Sequence, residues 1–259
     1  MILDDIVAKK RIQLMEEERA VPLPVLEKRA LEAPPVRDFH GALARAGLSV
    51  IAEVKRASPS KGMIAEDFDY LGTARKYEEG GAAAVSVLTE KHFFKGDNRY
   101  LTEIKKEAGL PVLRKDFILS ERQVIEARAI GADAILLIAA ILDEAAMRRL
   151  CALATELGMH CLFEAHDEAE VRRVAGCGAR IIGVNNRNLK TFKVSLSTFE
   201  RLQKMIPDST LAVAESGIHC KQDALRMKKA GAHAILVGES LMRSKNSAEL
   251  VRALAGDES

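Results

Sequence analysis

The chain has 259 residues, 39 of them basic and 37 acidic, for a formal net charge of +2. With 48% hydrophobic and 29% charged residues it is globular, one large domain or two small ones, and neither disordered nor collagen-like. Balanced charge, three Tyr and no Trp argue against a nucleic-acid face, and the longest apolar run (residues 134–142) falls short of the about 20 residues of a membrane helix.

From the N-terminus, Asp4 and Asp5 follow directly on Ile2 and Leu3, with no basic segment ahead of an apolar stretch, so no secretory signal is expected. Apolar residues at 2, 3, 6, 7, 12, 14 and 15 predict a helix over 2–19. A stretch bearing Pro22, Pro24, Pro34 and Pro35 follows, then a short helix over 39–46. Residues 1–47 are too few to hold a core of their own and read as a helical extension packed on what comes next.

From residue 48 a weak repeat takes over. A Gly-Ala pair precedes a β-branched run at Gly81, Gly131, Gly178 and Gly231, spaced 50, 47 and 53 residues apart. Each glycine ends a charged, helix-periodic segment, as a left-handed helix stop does, and the apolar run after it reads as a strand buried on both faces. A period near 50 fits two strand–helix units. The intervening strands are expected at 48–54, 110–114, 159–163 and 211–214, and amphipathic helices between them, such as 143–157, capped by Asp143, and 221–230. Eight alternating units predict an α/β fold, a (β/α)8 TIM barrel with an N-terminal helical extension, spanning 1–259 as one domain. An open doubly wound sheet is the alternative, but no G-x-G-x-x-G turn follows the first strand.

The four cysteines, Cys151, Cys161, Cys177 and Cys220, form no C-x-x-C pair, and no H-E-x-x-H or G-x-S-x-G occurs. Free thiols in a reducing cytoplasm are expected, with no metal site.

In such barrels function sits at the C-terminal ends of the strands. Strand one ends with Glu53 and Lys55, two apart and so on one side. The other ends carry Lys115, Glu164 (with His166 nearby), Asn185 and Arg187, and Glu215. Each alone reads more readily as a solvated charge than as a catalytic one. Their convergence on one ring suits acid–base chemistry, because confined Lys and Glu perturb each other's proton affinity. After strands seven and eight, Ser216-Gly217 and Gly238-Glu239 read either as ordinary turns or as a phosphate site built from backbone N–H groups.

The stretches E-V-K-R-A-S-P-S-K-G (53–62), L-R-K-D-F (113–117), G-V-N-N-R-N-L (183–189), A-E-S-G-I (214–218) and V-G-E-S-L-M (237–242) together resemble the indole-3-glycerol phosphate synthase family of tryptophan biosynthesis. The resemblance runs through the whole barrel and extends to the N-terminal segment. It implies a carboxy-lyase that needs no cofactor and acts on a small phosphorylated substrate, with Lys115 as general acid, Lys55 on the substrate carboxylate or phosphate, Glu164 as base, and Glu53, Asn185 and Glu215 in support. It further implies Ser58, Arg187 and Ser216 around the substrate, Phe93, Phe117, Leu136 and Ile138 as an aromatic pocket, and Gly217, Gly238 and the backbone of Glu239 on the phosphate. Residues 58–64, a Ser-Pro-Ser turn flanked by Lys and Gly, read as a mobile lid. A monomer, a weak dimer and association with other tryptophan-pathway enzymes all stay open. Other phosphate-binding barrels, such as phosphoribosylanthranilate isomerase, lack the two lysines at strands one and three. A barrel that binds phosphate without catalysis is the non-enzymatic alternative, against which the intact Lys115, Glu164 and Glu53 weigh.

Overall fold

The computed structural model describes residues 2–256. Eight parallel strands close into a barrel: β1 (Ser49–Val54), β2 (Ala84–Leu88), β3 (Val112–Lys115), β4 (Ala134–Ile138), β5 (His160–Ala165), β6 (Ile181–Asn185), β7 (Leu211–Glu215) and β8 (Ala234–Val237). They pair in sequence order, and β8 returns to β1 with Ile51 opposite Leu236. The expected strands each lie within two or three residues of an observed one. All four repeat glycines adopt positive φ, between 75° and 98°, as helix stops.

The pleat sorts the barrel into two cores. Val50, Ala52, Val54, Val85, Val87 and their equivalents face the surrounding helices. Ile51, Ala84, Leu113, Leu136, Leu162, Val213 and Leu236 fill the interior. The same alternation brings Glu53, Lys115, Glu164 and Glu215 to the top of that interior, above the apolar layers. A parallel sheet buried on both faces tolerates charge there because the strands end at the mouth.

Three helices precede the barrel: α1 (Ile2–Ala20), α2 (Leu23–Glu32) and α3 (Phe39–Leu43). The proline-bearing stretch, where no helix is expected, contains α2. Here Pro22 is the N-cap of α2 and Pro24 lies in its first turn, where a missing N–H costs nothing. Ile2, Leu3 and Ile6 of α1 reach the barrel mouth. Next, α2 packs on the helix Glu121–Ala129. Arg37 then donates its backbone N–H to Asp133 at the opposite end, and Phe39 and Leu43 of α3 plug the barrel bottom. The extension thus runs from one end of the barrel to the other. Among the described residues no helix is long and apolar enough to cross a membrane.

The segment expected as a mobile lid forms a short hairpin. Ala57–Ser58 pairs antiparallel with Gly62–Met63, and the amides of Ile64 and Ala65 both donate to the carbonyl of Arg56. The Ser-Pro-Ser turn is the tip of this hairpin.

Candidate active site

A cavity opens at the C-terminal mouth over a floor of Leu136, Ile138 and Leu236. Glu53, Lys55, Lys115, Glu164, Asn185 and Glu215 ring it. Phe117, Arg187, Ser58, Ser216, Gly217, Gly238 and Glu239 also line it. Every expected site residue is therefore at this cavity except Phe93.

Phe93 lies outside the lining for a local reason. The side chain of Glu90, 1% exposed, accepts from the backbone amides of His92, Phe93 and Phe94 at 2.7–3.0 Å. This curls the loop after β2 and brings Phe94, not Phe93, to the cavity, 6.2 Å from the ring of Phe117. Leu189 and Phe192 from the loop after β6, and Ile2, Leu3 and Ile6 from α1, complete the apolar lining. The loops after β2 and β6 have no period by which the sequence could single out Phe94, Leu189 and Phe192.

Lys115 is the electrostatic centre. Its Nζ lies 2.8 Å from Glu164 Oε2 and 2.9 Å from Glu215 Oε2. Burial pulls the ammonium's pKa down, but Glu164, Glu215 and Glu53 outweigh it and hold Lys115 charged well above the ordinary lysine range. Burial likewise pushes Glu164 up, yet Lys115 and His166 keep it well below the usual carboxylate range. Glu215 goes the other way. Burial and the neighbouring Glu164 prevail over Lys115, and its carboxyl is pushed up to about 7. One ammonium between two carboxylates thus leaves one carboxylate firmly ionised and the other poised to hold a proton. Glu215 Oε1 is buried without a hydrogen-bond partner among the described residues, an acceptor open to a ligand hydroxyl.

Lys55 Nζ pairs with Glu53 Oε1 at 2.5 Å. Two glycines make room for these side chains. A Cβ built on Gly183 of β6 would stand 2.0 Å from Glu215 Oε1, and one on Gly238 would stand 2.3 Å from Glu53 Oε1. Gly183 is thus a site residue of a kind that only the neighbouring side chain reveals.

Two strand-end turns frame the opposite side. Ser216 and Gly217 both take positive φ, 67° and 80°, and Gly238 caps the short helix Glu239–Arg243. For Ser216 that conformation costs about 1 kcal/mol, strain of the kind concentrated at binding sites. Asn186 holds this side together: its Nδ2 donates to the Ser216 carbonyl at 3.1 Å, and its Oδ1 accepts from the Phe199 amide at 3.0 Å. Glu239 pairs with Lys61 of the hairpin at 3.4 Å. No group of three or more His, Cys, Asp or Glu side chains among the described residues is arranged to hold a metal ion.

A family model described as indole-3-glycerol phosphate synthase matches residues 3–254. The chain belongs to the indole-3-glycerol phosphate synthase family. Curated proteins of that name are similar over nearly their whole length: 48% identical for the one from Desulfotalea psychrophila and 45% for that from Lachnoclostridium phytofermentans, each over 98% of both chains. The protein from Acetivibrio thermocellus is 47% identical over 97% of this chain and 98% of its own. With its family, the chain is a decarboxylating carbon–carbon lyase of tryptophan biosynthesis. More distant solved structures share the barrel: a thiamine phosphate pyrophosphorylase from Pyrococcus furiosus (TM-score 0.61, 17% identity, 85% of this chain and 96% of that one) and a 3-hexulose-6-phosphate synthase from Salmonella typhimurium (TM-score 0.62, 15% identity, 81% and 97%).

Proposed function

We propose that this mouth carries out the family's ring closure, with Lys115 as general acid and Glu164 as base. The substrate is 1-(2-carboxyphenylamino)-1-deoxyribulose 5-phosphate, and the products are indole-3-glycerol phosphate, CO2 and water. The observation that carries the reading is the ammonium of Lys115, held charged between Glu164 and Glu215 above an apolar floor. A floor of Leu136, Ile138 and Leu236 suits an aromatic ring, and the charged rim suits its anionic ends.

The ring carbon that bears the carboxylate attacks the ribulose carbonyl, and the carbonyl oxygen takes a proton from Lys115. The carbon–carboxylate bond then breaks, and its electron pair restores aromaticity as CO2 leaves. The new hydroxyl departs as water after a second protonation. Glu164 takes a proton from the five-membered ring, which completes the indole. A general acid and base of this kind each contribute about 10²- to 10⁴-fold to rate. Lys55, neutralised by Glu53 while the site is empty, holds the carboxylate or phosphate. Asn185 supports Glu164, and the open oxygen of Glu215 orients a substrate hydroxyl. Ser58 and Arg187 flank the anionic ends, and the backbone at Ser216, Gly217, Gly238 and Glu239 receives the phosphate.

On this reading the chain is one barrel domain with residues 1–47 as its extension. It works in the cytoplasm, which four unpaired thiols suit. Monomer and weak dimer are both compatible with it, as is association with other enzymes of the pathway.

The test is turnover of that substrate, followed by the fluorescence of the indole product. Lys115→Ala is expected to abolish turnover and retain substrate binding. Unchanged turnover in that variant overturns the assignment.

A further inference from the structure

Glu164 has a second cationic neighbour that the mechanism above does not use. Residues 164 and 166 are two apart at the end of β5, so both side chains leave on one side. The chain then turns into the helix Glu168–Gly176, capped by Asp167, whose side chain accepts from the Glu170 amide. Glu170, at the third helical position, reaches back, as the partner residue of a capping box does. One of its oxygens, Oε2, accepts from the His166 backbone amide at 2.8 Å and lies 2.9 Å from His166 Nδ1. Seven consecutive residues thereby build a row of carboxylate, imidazole and carboxylate.

The row points into the cavity at its Glu164 end. His166 Nε2 lies 3.2 Å from Glu164 Oε1, while Glu164 Oε2 faces Lys115. The two oxygens of the proposed base thus meet two different cations. The Nε2 contact is close but poorly aligned, and this buried nitrogen has no hydrogen-bond partner among the described residues. The charged groups facing His166 are Glu164 at the end of β5 and Glu170 on the helix that follows, with Lys115 beyond Glu164. Burial disfavours the imidazolium, but these two carboxylates raise its pKa to about 10, so it is a cation at neutral pH.

During the reaction Lys115 has to leave Glu164 to protonate the substrate. A buried carboxylate that loses its only counter-charge takes up a proton, and a protonated Glu164 is no base. We propose that His166 is a positioning residue for the ring closure: held on Glu170, it is the standing counter-charge that keeps Glu164 aimed and ionised while Lys115 turns to the substrate. As Glu164 loses its hold on Lys115, Oε1 has only to rotate to align with the waiting Nε2–H. Glu170 acts one step further out by fixing the ring.

This rests on the reading of Glu164 as the base, and the experiment separates the two. Steady-state kinetics on the full chain compare wild type with Glu164→Gln, His166→Gln and Glu170→Gln, using the phosphorylated substrate and indole fluorescence. His166→Gln keeps size and hydrogen bonding but not charge; it is expected to lower kcat about tenfold and leave KM within about twofold. Glu170→Gln, which leaves the helix cap at Asp167 intact, is expected to lower kcat in the same sense by less. In 15N-labelled wild type at pH 8, the His166 ring is expected to show both nitrogens protonated. Unchanged kcat in His166→Gln and Glu170→Gln, a change confined to KM or to melting temperature, or a neutral ring at pH 8 overturns the proposal. If Glu164→Gln itself retains full kcat, the base assignment falls and the role of His166 falls with it. If Glu164→Gln is inactive and both outer variants are not impaired, only the positioning role falls.

Discussion

Lys10 of α1 and Asp116, the residue directly after β3, form an ion pair 2.7 Å long with both side chains 1% exposed. Asp116 also accepts from Thr89 Oγ1 and contacts Arg114, which is itself paired to Glu126. The N-terminal extension is thereby anchored next to Lys115. Removing one member of a buried pair leaves an uncompensated charge, at a cost of about 3–5 kcal/mol. Lys10→Ala is expected to lose stability of that order in urea unfolding followed by circular dichroism. A loss below about 1 kcal/mol would place Asp116 in the care of Arg114 alone.

At the other end of the barrel, Asp133 is fully buried and accepts from the amides of Arg37 and Val112 and from Lys105 Nζ at 2.6–2.7 Å. Asp133→Ala strands Lys105, which is 3% exposed, and two backbone donors. The variant is expected to unfold at markedly lower urea, by about 3 kcal/mol or more, yet to keep wild-type KM where it is folded. A changed KM at a temperature where the fold is intact would contradict this separation of the two faces.

Gly183 yields its side-chain space to Glu215. Alanine there is compatible with the strand backbone, but its methyl would meet Glu215 Oε1 at 2.0 Å and force that carboxylate off Lys115. The expected outcome for Gly183→Ala is a kcat down about tenfold or more with cooperative unfolding preserved. Retention of full kcat would mean that the Glu215–Lys115 contact is dispensable.

Glu215 supplies a pH signature. Its carboxyl is raised to about 7, so between its ordinary value and pH 7 the folded protein holds a proton that the unfolded chain has released. The stabilising contribution of this group is present below its unfolded pKa and lost as pH rises through about 7. Activity is expected to move oppositely, since ionised Glu215 is the stronger acceptor for the substrate hydroxyl that its open Oε1 is proposed to orient. The profile of kcat/KM, which reports the free enzyme, is expected to rise through about pH 7, and Glu215→Gln to remove that step. An identical profile in the variant would assign the step to another group.

Much of the barrel was legible because its determinants are local. A glycine that must stop a helix in the left-handed region, followed by a run of Ile, Leu and Val, carries its own strand assignment, and so Gly131 announced β4. The alternation of a strand likewise places Glu53 and Lys55 on one side of β1. Three things were not legible in this way. α2 begins among prolines whose tolerance depends on their position in the first turn. The choice of Phe94 over Phe93 depends on one buried carboxylate collecting three amides. The pairing of Lys10 with Asp116 joins segments far apart in the chain, and residue spacing holds no record of it.

Asn186 also has a dynamic consequence. Its amide grips the turn after β7 with one end and the start of the helix Ser197–Leu202 with the other. The loops after β6 and β7 are therefore mechanically one body. A displacement of the Arg187 loop is thus passed through Asn186 to the strained Ser216 turn.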